Sequence, residues 1–154
     1  MKVSRCAGIL TGSFLTLLVL SLILDEPALL AVSASGFLFL FTRSRLFLAR
    51  VRESVAGMMV TRTTGRSVIR QGTRLAVQTS VRIRIPPHCR AAFHENNPLS
   101  CATEPARPTT GWMLPGDRTC DLAYSLIPLM HGTVRFPGGF LEVADLFFSC
   151  VVGV

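Results

Sequence analysis

The chain has 154 residues, of which 49% are hydrophobic, and it carries a formal net charge of +7. The hydrophobic residues are densest in an amino-terminal part of about 50 residues, so roughly 100 residues remain, enough for one soluble domain and too few for two. Basic residues exceed acidic ones by six to two over residues 1–52 and by ten to seven over residues 53–154. Neither part is extreme in charge. The length leaves no room for a second soluble domain.

The first apolar block, Cys6–Leu24, has the length of a membrane span. Its 19 residues carry no charge, and as a helix they extend about 28 Å, close to the ~30 Å hydrocarbon thickness of a bilayer. A cleaved signal peptide is the competing interpretation, with Lys2 and Arg5 as its charged region. The apolar core of a signal peptide is usually about 7–15 residues long, and the second block would then have no explanation. We therefore favour a membrane span.

The second apolar block, Ala28–Phe41, follows the acidic hinge Asp25-Glu26-Pro27. As a helix it extends only about 21 Å, which is short for a span. Extension to Leu48 gives sufficient length if the two arginines that it adds lie at the interface, where long side chains reach the headgroups. We expect the helix to continue, or to lie along the membrane surface, until Gly57 ends it.

Charged residues flank the two blocks asymmetrically. Basic residues lie before the first block and after the second, and acidic residues lie between the blocks. The basic residues are Lys2, Arg5, Arg43, Arg45, Arg50 and Arg52, and the acidic ones are Asp25 and Glu26. Because positively charged flanks stay in the cytoplasm, we expect a multi-pass protein of the cell membrane with both termini cytoplasmic. Residues 1–52 then form a transmembrane helical hairpin with a juxtamembrane segment, held in the lipid bilayer.

The five cysteines include no C-x-x-C pair. They are Cys6, Cys89, Cys101, Cys120 and Cys150. In the reducing cytoplasm we expect them to be free thiols that pack as small hydrophobic side chains. An alternative is an exported or cell-surface β-sandwich binding domain behind a signal anchor, for which a disulfide such as one between Cys89 and Cys120 would be expected.

The period of the sequence changes after the helices. Val55–Arg62 is rich in Val, Met and Thr and predicts a first strand, and Ser67–Arg70 predicts a short second one. In Thr73–Ile85 apolar and polar residues alternate, which indicates a long strand with one buried and one solvated face. Pro86-Pro87 ends this strand, because neither residue can donate a ladder hydrogen bond.

Shorter segments follow, with turns between them. A strand near Cys89–Glu95 precedes a long loop from Thr103 to Arg118 that is rich in Pro and Gly. The remaining predicted strands are the alternating run Leu122, Tyr124 and Leu126, then Thr133–Phe136, and Phe140–Val143 after the turn Pro137-Gly138-Gly139. Short strands without intervening helices predict an all-β antiparallel sandwich-like domain, or a small barrel, over residues 53–154.

The order of two membrane segments and a set of spaced turn and strand residues resembles a known family. The residues are Val60-Thr61-Arg62, Gly72, Pro86-Pro87-His88, Tyr124, Pro128, Gly132, Phe136-Pro137-Gly138 and Asp145-Leu146-Phe147-Phe148. They are similar to the amino-terminal part of the domain-of-unknown-function 58 (DUF58) family, bacterial and archaeal membrane proteins in which two helices precede a β-sandwich. The resemblance implies that the chain corresponds to the amino-terminal part of a family member and stops before the von Willebrand factor A-like portion. It also implies partnership with a MoxR-type AAA ATPase.

The chain departs from the family's pattern at two turns. It has His131-Gly132 where family members usually have Arg-Gly, and Asp145-Leu146-Phe147-Phe148 where they have a turn similar to Asp-Pro-Phe-Gly. Because the resemblance covers only the amino-terminal part of the family, a non-functional, truncated member is an alternative interpretation of the chain.

Seven Arg residues, with no acidic residue among them, lie between Ser54 and Phe93. Arg74, Arg82 and Arg84 fall on the polar side of the long predicted strand and form a candidate face for anionic lipid headgroups or an acidic partner. Nucleic acid is not expected as a partner, because no aromatic residue lies between Phe47 and Phe93 to stack on a base.

No pattern in the sequence predicts catalysis, a metal site or a bound cofactor. The potential metal ligands His88, Cys89, His94 and Cys101 do not have the spacing of a zinc site. Sequence motifs for a phosphate-binding loop, a nucleophilic serine or a zinc protease are missing as well. We therefore expect a membrane-anchored interaction or scaffold module and not an enzyme.

Overall fold

The computed structural model describes residues 2–65 and 70–154. After a two-residue strand, β1 (Lys2–Val3), the chain forms two contacting helices, α1 (Arg5–Leu24) and α2 (Pro27–Ala56). Both helices are long and apolar enough to cross a membrane. The predicted helical hairpin is confirmed, and α2 ends at Gly57 as expected.

Small residues of α2 form the contact between the two helices. Ser33 and Gly36 are buried there, and the Ser33 hydroxyl donates a hydrogen bond to the Phe14 carbonyl oxygen at 2.9 Å. A Cβ atom at Gly36 would collide with the Phe14 ring. The lack of a side chain at this position lets the two helices approach closely.

Seven further strands follow within the described residues. They are β2 (Met59–Thr64), β3 (Leu75–Ile85), β4 (Arg90–Glu95), β5 (Cys101–Glu104), β6 (Gly116–Pro128), β7 (Gly139–Ala144) and β8 (Phe148–Gly153). They pair in two four-stranded antiparallel sheets, with the orders β1-β8-β7-β4 and β2-β3-β6-β5. The sheets pack together, which confirms the predicted all-β antiparallel sandwich.

The alternation in β3 separates the core from the solvated face, as predicted. Every second residue from Leu75 to Ile85 is buried, and most of those between are exposed. Val81 and Ile83 pack in one apolar core with Phe93 and Leu141 of the other sheet. The long strand therefore supplies both the inner wall of the sandwich and an outward face.

Two predicted segments, a strand and a loop, have different bounds in the structure. The first strand begins at Met59 and not at Val55, because Val55 belongs to the last turn of α2. The predicted loop Thr103–Arg118 is shorter at both ends: Thr103 lies in β5, and residues 116–118 already pair with residues 83–85 of β3. Main-chain hydrogen bonds extend β5 and β6 into the predicted loop, although apolar and polar side chains do not alternate in the added residues.

The predicted strand Thr133–Phe136 does not form. Val134 and Phe136 do pack against the core, which accounts for their apolar spacing, but the segment lies outside the strands of both sheets. Most of the other predicted extra strand, Ser67–Arg70, lies outside the described residues.

The hairpin and the sandwich share core residues. Phe47 and Val51 of α2 are 2% and 3% exposed and pack in the core that includes Val81 and Phe93. At the start of the chain, β1 extends the sheet by pairing with β8. Both ends of the hairpin are therefore attached to the sandwich. The acidic turn between α1 and α2 lies at the opposite end of the hairpin.

Candidate functional site at the hairpin junction

The turn between β7 and β8, Asp145–Phe147, lies where the hairpin meets the sandwich. The Arg43 Nη2 atom of α2 is 3.8 Å from Asp145 Oδ2, and its guanidinium lies 5.6 Å from the centre of the Phe147 ring. The other Asp145 oxygen, Oδ1, accepts hydrogen bonds from the backbone N–H groups of Phe147 and Phe148 at 2.8 and 2.6 Å. One carboxylate thus shapes the turn and holds it against α2.

Aromatic and backbone contacts attach the same turn to both helices. The Phe147 ring meets the Phe39 ring edge-on, with centroids 6.2 Å apart. At the start of α1, the Ser4 backbone N–H donates to the Phe147 carbonyl oxygen and the Ser4 hydroxyl donates to the Leu146 carbonyl oxygen, both at 2.9 Å. The turn is therefore fixed to the start of α1 and to the middle of α2.

Cys89 lies buried at the same end of the sandwich. It directly precedes Arg90, which pairs with Ala144 beside the turn. Burial raises the pKa of the Cys89 thiol, and the nearby charge of Asp145 raises it further, with Arg50 and Arg43 acting in the opposite direction. The thiol is thus kept protonated at neutral pH and is a poor nucleophile or metal ligand.

We expect iodoacetamide to alkylate Cys89 only at a higher pH than it alkylates an exposed thiol, because burial and Asp145 disfavour the thiolate. The measurement is site-resolved mass spectrometry of the full chain in detergent micelles, as a function of pH. A cysteine introduced by Leu99→Cys, at a fully exposed position, is the control. If both thiols reach their limiting rates at the same pH, the raised pKa is wrong, whereas a lower rate alone would reflect restricted access.

Arg82 and Arg84 lie on the outward face of β3 and Arg74 directly precedes this strand, but the surface that they form is mixed in charge. Arg74 pairs with Glu104 at 3.1 Å, and Arg84 lies 4.0 Å from Asp117. Arg82 stands between Met59 and Thr119 on the neighbouring strands and forms no ion pair with any described residue. The carboxylates come from β5 and β6, which follow much later in the chain.

The three arginines also lie at different heights on the strand. Arg74 directly precedes the first residue of β3, and Arg84 directly precedes its last. At ~3.3 Å per residue, Arg82 lies about 26 Å along the strand from Arg74. Arg82 and Arg84 are close to the end that leads through Pro86-Pro87 towards Cys89.

The structure separates the potential metal ligands. Cys89 belongs to the core next to α2, whereas Cys101 belongs to a second apolar cluster. His94 Nε2 lies 3.6 Å from Glu142 Oε2. Within residues 2–65 and 70–154, no group of three or more His, Cys, Asp or Glu side chains could hold a metal ion.

A partly buried ion pair between the sheets was missed by the sequence analysis. Arg62 of β2 points inward, and its Nε atom lies 2.8 Å from Oε1 of Glu95, whose side chain is 0% exposed. The Phe136 ring lies against the guanidinium at 5.6 Å. Burial also raises the pKa of Tyr124 in this region, and the charge of Glu95 raises it further. Arg62 thus compensates the charge of the buried Glu95, and it is removed from the outward basic surface.

No family model matches the chain, and no curated protein is detectably similar to it. The role of the junction is therefore inferred from its residues and contacts.

Proposed function

We propose that the chain is a membrane-anchored interaction or scaffold module without enzymatic activity, as its resemblance to the DUF58 family implies. The observation that carries the proposal is the attachment of both hairpin ends to the sandwich, through β1 and through the buried Phe47 of α2. A sandwich held in this way stays at a fixed height and orientation on the membrane, which suits a docking platform.

The exposed apolar side chains of the hairpin support insertion in a bilayer. Ile9, Leu22, Ile23 and Leu38 are each 66–72% exposed. Such a continuous apolar surface would be unfavourable in water and is suited to lipid.

The charge distribution supports a cytoplasmic sandwich. Lys2, Arg5 and Arg43 lie at the end of the hairpin next to the sandwich, and Asp25 and Glu26 lie at the opposite tip. Positively charged flanks remain in the cytoplasm. Both termini and the sandwich are accordingly cytoplasmic in this proposal.

The partner we propose is a MoxR-type AAA ATPase, on the family resemblance, with the outward face of β3 as its contact surface. Arg74 and Arg84 are already partly neutralised by carboxylates. Arg82 is exposed and has no such partner in the described part of the chain. An acidic surface of the ATPase would therefore contact Arg82 most directly.

Purification of the full chain in mild detergent should recover the ATPase, and Arg82→Glu should lower its recovery by about tenfold because a like charge then opposes the acidic surface. Arg107→Glu, which reverses an exposed charge on the loop after β5, is the control and should leave the recovery unchanged. Failure to recover an ATPase, or equal losses in both variants, would contradict the proposed partner.

The same preparation distinguishes the exported alternative. A cytoplasmic protein retains five free thiols, as all five cysteines are in the structure. Recovery with a disulfide or with a cleaved amino terminus would favour the exported binding domain.

A further inference from the structure

We infer that the β7–β8 turn, Asp145–Phe147, is a third membrane contact, which inserts the Leu146 side chain among the upper parts of the lipid acyl chains. This inference rests on the proposed membrane span of the hairpin. It adds that the sandwich itself enters the bilayer interface and is not merely tethered beside it.

The contacts of Phe147 set the height of the turn relative to α2. Arg43 is the first cation after the apolar block and marks the level of the headgroups. Phe39 lies one helical turn, about 6 Å, further into the apolar block. The Phe147 ring contacts both residues, so it extends from the headgroup level into the apolar zone.

The contacts of the turn with the start of α1 place it at the same height relative to the membrane. The carbonyl oxygens of Leu146 and Phe147 are bonded to Ser4, the residue directly before the first helix. Arg5, at the start of that helix, belongs to the same basic level as Arg43. Both helices therefore place the turn at the border of the apolar zone.

The polar groups of the turn are suited to an environment with little water. Asp145 is paired with Arg43 and accepts two backbone N–H groups, while the carbonyl oxygens of Leu146 and Phe147 are bonded to Ser4. Unpaired groups of this kind would each cost several kcal/mol in hydrocarbon, as an order of magnitude. With these groups satisfied, the 66% exposed Leu146 is the part of the turn that is left to contact lipid.

Leu99 provides a matched comparison within the same sandwich. It is fully exposed, but it follows the end of β4 at Glu95, whereas the junction lies beside the start of β4 at Arg90. The inference therefore distinguishes two exposed leucines of one domain: Leu146 contacts acyl chains and Leu99 contacts water.

The test measures the depth of single tryptophans in the full chain, reconstituted in phosphatidylcholine and phosphatidylglycerol vesicles. Trp112, the single tryptophan of the chain, is first replaced by Phe. Leu146→Trp, Leu99→Trp and Val19→Trp are then compared, the last lying at an exposed position of α1. Quenching by lipids brominated on the upper acyl chain should lower the fluorescence of Leu146→Trp to within a factor of about two of Val19→Trp, and should leave Leu99→Trp unquenched.

The outcomes separate this inference from the proposal on which it rests. Quenching of Val19→Trp without quenching of Leu146→Trp would overturn the membrane-inserted turn and leave the hairpin span intact. Equal quenching of Leu146→Trp and Leu99→Trp would also overturn it, because contact would then not be specific to the turn. Absence of quenching at Val19→Trp would overturn the span itself and the inference with it.

Discussion

Replacement of Arg62 by Met should lower the free energy of unfolding of the sandwich by about 3–5 kcal/mol, the typical cost of leaving a buried charge without its partner. Glu95 has no exposed side-chain surface, so water cannot replace the lost guanidinium. Its second oxygen, Oε2, is already without a hydrogen-bond partner in the described part of the chain. The measurement is urea unfolding of the full chain in detergent micelles, followed by the fluorescence of Trp112.

The matched control is Arg74→Met. Arg74 and Glu104 also form an ion pair, but their side chains are 69% and 54% exposed, so its loss should cost at most about 1 kcal/mol. The double variant R62M/E95M should recover most of the lost stability, because it also removes the buried Glu95 charge that has lost its partner. Equal losses in the two single variants, or no recovery in the double variant, would contradict the role of Arg62 as the partner that compensates the buried Glu95 charge.

The sandwich could be predicted from sequence because burial imposes a period of two on its strands. In β3 this period is uninterrupted from Leu75 to Ile85, and the structure buries every second residue there. The start of β6 could not be found in the same way. Residues 116–118 have no apolar alternation, yet they pair with β3 through main-chain hydrogen bonds, which require no side-chain pattern.

Charged residues of the candidate site were harder to assign than apolar ones. Arg62 and Arg82 lie in one basic stretch, but Arg62 points into the core and Arg82 points outward. A signal for the buried pair was available: Glu95 is two residues after Phe93, so both side chains lie on the same, buried side of β4. A carboxylate on an inner face needs a partner for its charge, and Arg62 of the opposite sheet is that partner.

The junction itself depends on contacts between distant parts of the chain. The sequence indicates two helices and a later turn at Asp145, but neither pattern says that Phe147 meets Phe39 or that Asp145 meets Arg43. These contacts follow from the pairing of β1 with β8, which brings the first residues of the chain beside the last strand. A two-residue strand carries too little pattern to be recognised from sequence.

Phe47 is the main aromatic contact between the extended part of α2 and the sandwich. Its ring lies 5.9 Å, centroid to centroid, from the ring of Phe148 in β8. One helical turn later, Val51 is buried in the same core. The segment of α2 beyond the apolar block is therefore part of the sandwich core, and its helical structure depends on that packing.

Phe47→Ala should lower the free energy of unfolding by about 3–5 kcal/mol, because it removes the buried ring and leaves a cavity. It should also expose the segment between Arg43 and Arg52 to trypsin, since the helix loses its main contact. Urea unfolding and limited proteolysis of the full chain in micelles measure the two effects. Phe41→Ala, at a 63% exposed position, is the control and should change stability by less than about 0.5 kcal/mol. Equal losses in the two variants, or continued resistance of the segment to trypsin in Phe47→Ala, would contradict the packing of α2 as the rigid connection between hairpin and sandwich.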